Sequence, residues 1–459
     1  MAWNRWYSMM SNLRSSIWVV PIISLIAAAT LKRLAEKLGG WMVDQGYYDL
    51  KVAFFGLNRE EAHAFLDRIF SINMACLVFT FGSLLVAIQV AGGQYTPRII
   101  ATTLLRDKVI RSIVGLFAFT LLWTNRAMMQ LGFDPNVPQL QVFLAGMFGV
   151  ASLIAFIVLI DYCAKLLRPV SLVGRVGQQG IQAIRNIYPN LTTNVRTPHG
   201  HYGKRGMPLP PWRAGGVTAA MSPAVERGPA DRTISHAGQS AIVLAVNLQK
   251  LVHEAQRADS IIELVPQVGD FVAVDEPLFR VYGNAESIDA SVLRTLVAFG
   301  AERTIEQDPM FPFRIAVDIS LKALSPAIND PTTAVLAIDQ LHRLLRQVGE
   351  RSLHGQEMLD SAGRPRLIFR TPNWEDFVHI TFREIRHCGI GNLQVVRRLR
   401  AVIENLQQSL PEHRHPALLI ELELLDRAAE RQYEFPEDLA LARIADSQGL
   451  GGSSGSSEN

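Results

Sequence analysis

The sequence predicts an α-helical integral membrane region of four transmembrane helices fused to an α+β cytoplasmic region. Three observations predict this class. Four apolar runs lie within the first 170 of the 459 residues, and the longer ones match the length that crosses a hydrocarbon core. Hydrophobic residues make up 49% of the chain and charged residues 19%, which is a balance between a soluble enzyme and a fully embedded protein. Beyond residue 233, short β-rich runs and amphipathic helical patterns replace the apolar runs.

The second crossing and the turn after it organise the membrane part. The segment Ile72–Gly92 carries no charge, which predicts a spanning helix. A threonine followed by proline then reads as a helix N-cap and first helical position, and the helix that follows is amphipathic. We therefore expect an elbow that turns the chain from a spanning helix into one along the membrane face. The elbow candidates are Tyr95, Thr96, Pro97 and Arg98.

The remaining apolar runs complete a four-helix region. The other crossings are predicted at Ile17–Leu31, Ile113–Met129 and Val142–Ile160, and an amphipathic helix at Asn58–Phe70 lies in the first long loop. Four crossings put both termini on one side. Arginines and lysines after the second and fourth crossings predict that this side is cytoplasmic, although Lys32, Arg33 and Lys37 fall on the opposite side.

One face of the second crossing carries small or mildly polar side chains at helical spacing. In lipid such a stripe is typical of close helix–helix packing. The alternative interpretation is a pore-lining face with a glutamine near its mouth. The pore-lining candidates are Cys76, Thr80, Ser83, Ala87, Gln89 and Gln94. In the third crossing, Arg126 is either a functional charge at depth or a side chain that extends to the interface.

Composition shifts predict five parts along the chain. They are the transmembrane domain 1–170, a connecting helix and flexible linker 171–233, a β sandwich-hybrid-like unit 234–286, a cytoplasmic helical bundle 287–446, and a flexible tail or cloning remnant 447–459. The stretch VGDFVAVDEPLFRV resembles the hairpin of biotinyl and lipoyl carrier domains. No lysine stands on its turn, which argues against a swinging arm and for a structural or adaptor use.

The most distinctive cytoplasmic segment combines acids, arginines and a proline-rich turn. We expect Asp318 and Lys322 to pair at i,i+4 on one helix. Asp330 is predicted to cap the next helix after a turn. The alternative is that free N–H groups at that helix start hold an anion, or that the acids carry acid–base or cation-binding chemistry. The candidates are Arg303, Glu306, Asp308, Arg314, Ser325, Asn329 and Asp330.

Several classes of site find no support in the composition. A net charge of +3 and the lack of a long basic run with aromatics argue against nucleic acid binding. The three cysteines, Cys76, Cys163 and Cys388, have no metal-ligand spacing. We therefore expect no metal site and no cofactor.

Four motifs in order carry a resemblance to a known family. They are QYTPRII, GDFVAVDEPLFRV, ERTIEQDPMFPFR and ALSPAINDPTTA. Together they resemble the bacterial membrane-protein family called domain of unknown function 2254. The resemblance implies a multi-pass protein of the bacterial inner membrane with a cytoplasmic region, and it brings no catalytic residues. The linker 189–233 and the threonines at 332 and 333 depart from the family pattern.

Three functions follow as hypotheses. The first is a homo-oligomeric channel or pore in the lipid bilayer, regulated by its cytoplasmic domain and passing an ion or small ligand. The second is a membrane-anchored scaffold or ligand sensor with no transport activity. The third, a membrane-tethered hydrolase that uses Glu306 and Asp308, ranks lowest because no nucleophile or metal triad completes a site.

Overall fold

The computed structural model describes residues 3–7, 19–44, 56–94, 107–133, 137, 139–166, 168–192, 228–353 and 357–451. The chain forms two compact units, one of residues 12–172 and one of residues 1–11 with 173–459. The elbow candidates Tyr95–Arg98 lie outside the described residues, as does the side chain of Gln94.

Four helices build the first unit. They are α1 Val19–Asp44, α2 Arg59–Gln94, α3 Lys108–Phe133 and α4 Gln139–Leu166. Among the described residues, three stretches are long and apolar enough to cross a membrane, and they lie in α2, α3 and α4. The apolar run of α1 stops before Lys32 and Arg33 although the helix continues. Three candidate spans are therefore found, and the prediction of four is confirmed only in part.

Helix α2 corrects one predicted boundary. The amphipathic helix predicted at Asn58–Phe70 and the crossing predicted at Ile72–Gly92 form one helix of 36 residues. Only Ser71 separates the two segments, and one serine does not end a helix whose neighbours favour it. The helix begins with a capping box, in which the Asn58 side chain accepts the Glu61 N–H and the Glu61 carboxylate accepts the Asn58 N–H, each at 2.9 Å.

Contacts between the helices define their directions. Arg59 at the start of α2 donates to the Leu131 carbonyl near the end of α3 at 2.7 Å, so these helices are antiparallel. Tyr162 near the end of α4 donates to Asp107 just before α3 at 2.5 Å. The Ser24 hydroxyl of α1 donates to the Gly115 carbonyl of α3 at 2.9 Å. The start of α1 and the end of α4 therefore lie at the same end of the unit.

The second unit contains a β part of two sheets. Its elements are α5 Pro169–Ile187, β1 Arg232–Ser235, β2 Ala241–Val246, α6 Leu248–Arg257, β3 Ser260–Leu264, β4 Phe271–Val272, β5 Pro277–Gly283, α7 Ala290–Arg294 and β6 Val297–Gly300. Two further strands, β7 Glu357–Leu359 and β8 Pro365–Phe369, follow later in the chain. One sheet has the order β1-β5-β3-β8-β7 and the other β4-β2-β6, and among these pairs only β3 and β8 are parallel. The sheets thus take strands from outside the predicted range 234–286.

A helical bundle completes the second unit. Its helices are α8 Phe311–Ala323, α9 Pro331–Gly349, α10 Trp374–Gly389, α11 Leu393–Ser409, α12 His415–Gln432 and α13 Pro436–Ala442. Their apolar faces form one core, which includes Ile184 of α5. Helix α5 approaches the bundle closely, because a Cβ on Gly180 would lie 2.7 Å from Pro312 and from Leu344. The connecting helix is therefore packed on the bundle along its second half.

Two local predictions change in this unit. Asp318 pairs with Arg314, whose Nε lies 2.7 Å from Asp318 Oδ1, and not with the predicted Lys322. An arginine has several N–H donors, so Arg314 binds Glu384 of α10 as well as Asp318. Asp318 therefore lies in an ion-pair group at the helix interface. The tail predicted to be flexible is instead bonded as far as Gly451, whose N–H donates to the buried Asp446.

Candidate functional site

The predicted stripe on α2 faces the interior of the first unit. Cys76, Thr80 and Ala87 are buried, and Ser83 is half-buried. The Thr80 hydroxyl donates to the Cys76 carbonyl at 2.7 Å, and the Ser83 hydroxyl donates to the Thr80 carbonyl at 3.0 Å. The two hydroxyls are therefore satisfied by their own helix. The structure places this stripe in helix–helix packing within one chain.

A different face of α2 carries exposed small and polar residues. This α2 seam consists of Ser71, Ala75, Gly82 and Gln89. At about 100° per residue, its members fall within about 40° of one another on the helix. Among the described residues, no atom outside the nearby backbone of its own helix lies within 4 Å of the position that a Cβ on Gly82 would take. Sequence reasoning included Gln89 but missed the seam, whose signal was the seven-residue spacing of Ala75, Gly82 and Gln89.

Arg126 lies near the charged end of the membrane unit. Its neighbour Ala127 shares a buried cluster with Ala35 of α1 and Ala62 of α2, and Arg126 itself lines a small cavity with Ala28 and Ala29 of α1. At this end α1 and α2 carry exposed charges, among them Lys37 and Asp67. The Arg126 side chain is exposed. This position favours the interpretation that Arg126 extends to the interface.

The candidates of the second unit separate into three places. Arg303 and Asp308 lie together, while Arg314 pairs with Asp318 and Glu384 on the α8–α10 interface. Asp330 caps α9, because its Oδ1 accepts the Thr333 N–H at 3.0 Å.

The turn before Asp330 is a compact helix connection. Ser325 Oγ donates to the Lys322 carbonyl at 2.7 Å, and Asn329 has a positive φ of 47°. The Asp330 N–H donates to the Ala323 carbonyl at 2.8 Å. These bonds satisfy the end of α8 and the start of α9, which supports the cap interpretation of this turn.

Asp308 is a buried acid whose two oxygens differ. Its side chain is only 3% exposed. Oδ1 accepts the N–H groups of Met310 at 3.0 Å and Phe311 at 3.1 Å at the start of α8. Oδ2 is buried, has no hydrogen-bond partner in the described part of the chain, and lies 3.8 Å from Arg303 Nη1. A buried carboxylate oxygen without a donor is rare enough to mark a functional candidate.

Two elements meet at this acid, and we name the place the Asp308 junction. It comprises Asp308 and Arg303 and the turn Gly269–Asp270 between β3 and β4. Tyr188, just after α5, lies within reach of the charge of Asp308. Gly269 has φ +94°, and a Cβ there would lie 2.5 Å from Asp308 Oδ2. The turn is held to the β part, because the Gly269 N–H donates to the Val243 carbonyl at 2.8 Å. The junction thus joins the β part to the first turn of α8.

The electrostatics of the junction bring the pKa of Asp308 closer to physiological pH. Burial raises the pKa of Asp308 to about 6, Arg303 and the two backbone N–H groups oppose this rise, and Asp270 adds to it. Burial raises the pKa of Tyr188 to about 12, with Thr371 opposing and the Asp308 charge adding, so this tyrosine is neutral at physiological pH. Asp308 is therefore the group here that changes charge near neutral pH.

The junction lacks the partners of a catalytic or metal site. Within the described ranges no group of three His, Cys, Asp or Glu side chains could hold a metal ion. Glu306 is half-buried, and Arg314 belongs to another interface. The link between Gly269 and Asp308 was not predicted, because the two residues are distant in sequence and meet only in the folded unit.

Comparison with known proteins agrees with this architecture. A family model described as predicted membrane protein, DUF2254, matches residues 14–405. An uncharacterised protein of Mycobacterium bovis and one of Mycobacterium tuberculosis are each 24% identical over 453 residues, covering 95% of this chain and 81% of the relative. No solved structure matches the chain. The chain therefore belongs to the family of predicted membrane proteins known as domain of unknown function 2254.

Proposed function

We propose that the protein is a homo-oligomeric channel or pore of the bacterial inner membrane, regulated by its cytoplasmic part. The α2 seam carries this proposal. Small residues on an outer helix face allow close approach of another helix in lipid, and an exposed Gln89 amide is unfavourable against hydrocarbon. Contact with a second copy of the chain covers both the small residues of the seam and the Gln89 amide. The conduction pathway then lies between copies of the chain, and an ion or small polar ligand passes through it along α2.

The packing within one unit supports a path between copies. Half of the apolar window of α3 is buried, against 22% for α2 and 17% for α4. Helix α3 thus fills the centre of its own unit, where Thr120 Oγ1 and Ser152 Oγ lie 3.0 Å apart. Of the two outer helices α2 and α4, the exposed Gln89 on the α2 seam makes that face of α2 the better candidate to line a pore.

Two features support regulation from the cytoplasm and cytoplasmic termini. Helix α5 begins at Pro169, shortly after α4 ends at Leu166, and is packed on the bundle. Near the other terminus, the Asn4 N–H donates to the Thr295 carbonyl of the β part at 3.2 Å. Both ends of the membrane region thus continue into segments of the second unit. A conformational change of that unit can therefore be transmitted to the membrane helices through these segments.

Reconstituted protein in planar bilayers tests the proposal. We expect discrete conductance that Gly82→Leu reduces at least tenfold, whereas Ala151→Leu, at an exposed small residue of α4, leaves it unchanged. In a chain with its three cysteines replaced, Gly82→Cys should form disulfide-linked dimers in membranes and Ala151→Cys should not. Absence of both conductance and cross-linking would refute the proposal.

An anchored scaffold or ligand sensor is the second candidate, and the Asp308 junction favours it. An uncovered buried carboxylate oxygen suits a domain that responds to a bound species. Cross-linking through the α2 seam without conductance would support this candidate over the channel. We propose no enzymatic activity for either, and the hydrolase that uses Glu306 and Asp308 stays a prediction.

A further inference from the structure

The Asp308 junction is built so that one oxygen has no stabilising donor. Asp308 Oδ1 is fully engaged by the Met310 and Phe311 N–H groups, which is an ordinary helix-start bond. Oδ2 faces the backbone of Gly269 at a distance that leaves no room for a side chain. A proton on Oδ2 fits this space, whereas a larger ligand does not.

The charged and titratable groups around Oδ2 are few. Arg303, on the same loop, is 39% exposed, and its Nη1 lies 3.8 Å away, beyond hydrogen-bond distance. Asp270, on the turn of the β part, accepts the Gln267 N–H at 2.9 Å and repels a second negative charge. Tyr188 after α5 bears a neutral hydroxyl 3.4 Å from the Thr371 hydroxyl. Ionised Asp308 therefore has one cation at the outer limit of ion-pair distance, Arg303, and is repelled by the charge of Asp270.

We propose that Asp308 is a proton-binding site whose occupancy controls the contact between the turn 267–270 and the start of α8. With the proton bound, the neutral carboxyl packs against Gly269 and the junction is closed. Without it, the buried charge favours movement of the turn away from Oδ2, which admits water or Arg303. The device lets the β part and the bundle respond together to cytoplasmic acidification.

The geometry explains why this acid is suited to the role. Its first oxygen holds α8 in either charge state, so that protonation changes the second oxygen without releasing the helix. The turn, in contrast, is bonded to the β part through the Gly269 N–H and not to Asp308. The charge on Oδ2 therefore acts on the packing between two parts rather than on the fold of either.

Hydrogen exchange of the full chain in nanodiscs tests the site between pH 5 and 8. Each rate is divided by the intrinsic rate at the same pH. We expect protection of segment 265–272 to fall by about tenfold between pH 5 and 8, because a pKa of about 6 against an ordinary value of 3.8 places the rest of a total change of about 100-fold below pH 5. Asp308→Asn, which keeps the helix-start acceptor without the charge, should stay protected throughout.

Two further variants make the result decisive. Arg303→Gln removes the charge that lowers the pKa of Asp308, so the midpoint of the transition should move to higher pH. Asp330→Asn, at another aspartate that caps a helix, should leave the transition unchanged. The proposal is overturned if Asp308→Asn retains the wild-type pH dependence, or if the midpoint in Arg303→Gln does not move. Exchange reports the site whether or not the protein conducts, so the two proposals fail separately.

Discussion

The helices of the membrane unit and those of the bundle in the second unit bury opposite kinds of side chain. In the bundle, large apolar residues such as Leu341 and Phe377 are fully buried. In the membrane unit, Ile157 is 62% exposed and Val78 63%, while Thr80 is 2% exposed. The reason is the solvent that each unit meets. Lipid accepts large apolar side chains on the outside, so small and hydroxyl residues serve the inner contacts, whereas water forces the apolar side chains inward.

The largest expected effect is on the free energy of unfolding, and it compares the same substitution at a buried and at an exposed isoleucine. Ile338→Ala removes a side chain that is 1% exposed in the bundle core, and we expect it to lower the free energy of unfolding by about 2–5 kcal/mol. Ile157→Ala, on the outer face of α4, should change it little. Denaturant titration of the full chain in detergent, followed by the fluorescence of the buried Trp374, measures the first effect. Equal effects at both positions would contradict the comparison.

The next effect concerns the buried charge of the second unit. The pKa of Asp308 is raised from 3.8 to about 6, so the folded state binds this proton more tightly than the unfolded state. Its contribution to stability is present below pH 3.8 and is lost as pH rises through about 6. The loss is about 3 kcal/mol. Asp308→Asn should therefore exceed wild type by about this amount at pH 7.5 and match it near pH 4 in denaturant titrations.

A smaller effect tests close packing inside the membrane unit. A Cβ on Gly115 of α3 would lie 2.3 Å from Val20 Cγ1 of α1, so Gly115→Ala forces these helices apart. We expect a loss of about 1–3 kcal/mol. Gly132→Ala, at a site with no atom within 4 Å, is the control. Thermal unfolding in nanodiscs compares the two, and a stable Gly115→Ala variant would show that α1 does not pack against α3.

The smallest effect concerns the end of the described chain. Asp446 accepts the N–H groups of Gln448, Gly449 and Gly451, and the buried Arg397 donates to the Gly451 carbonyl. Asp446→Asn leaves fewer acceptors, and we expect a loss of about 1 kcal/mol. Limited proteolysis should then cleave near residue 450 earlier than in wild type. Unchanged cleavage would support the flexible tail that the sequence predicted.

The sequence predicted local features well where the cause was local. The N-cap at Asp330 and the position of α4 followed from a capping residue and an apolar run. It failed where the deciding neighbour was distant. Asp318 pairs with Arg314 rather than with Lys322, because Glu384 of α10 holds that arginine at the interface. The strands β7 and β8 were missed because β8 pairs with β3, about a hundred positions earlier in the chain, and β7 in turn pairs with β8.

By itself the sequence determined the solvent of each region, because uncharged runs partition into lipid and amphipathic patterns need one wet and one dry face. It also determined family membership, through the order of its motifs. Only the tertiary structure decided which face of α2 is free, since small residues occur on both faces and packing occupies one. It likewise decided that Asp308 faces Gly269, because a long-range contact depends on the fold and not on spacing along the chain.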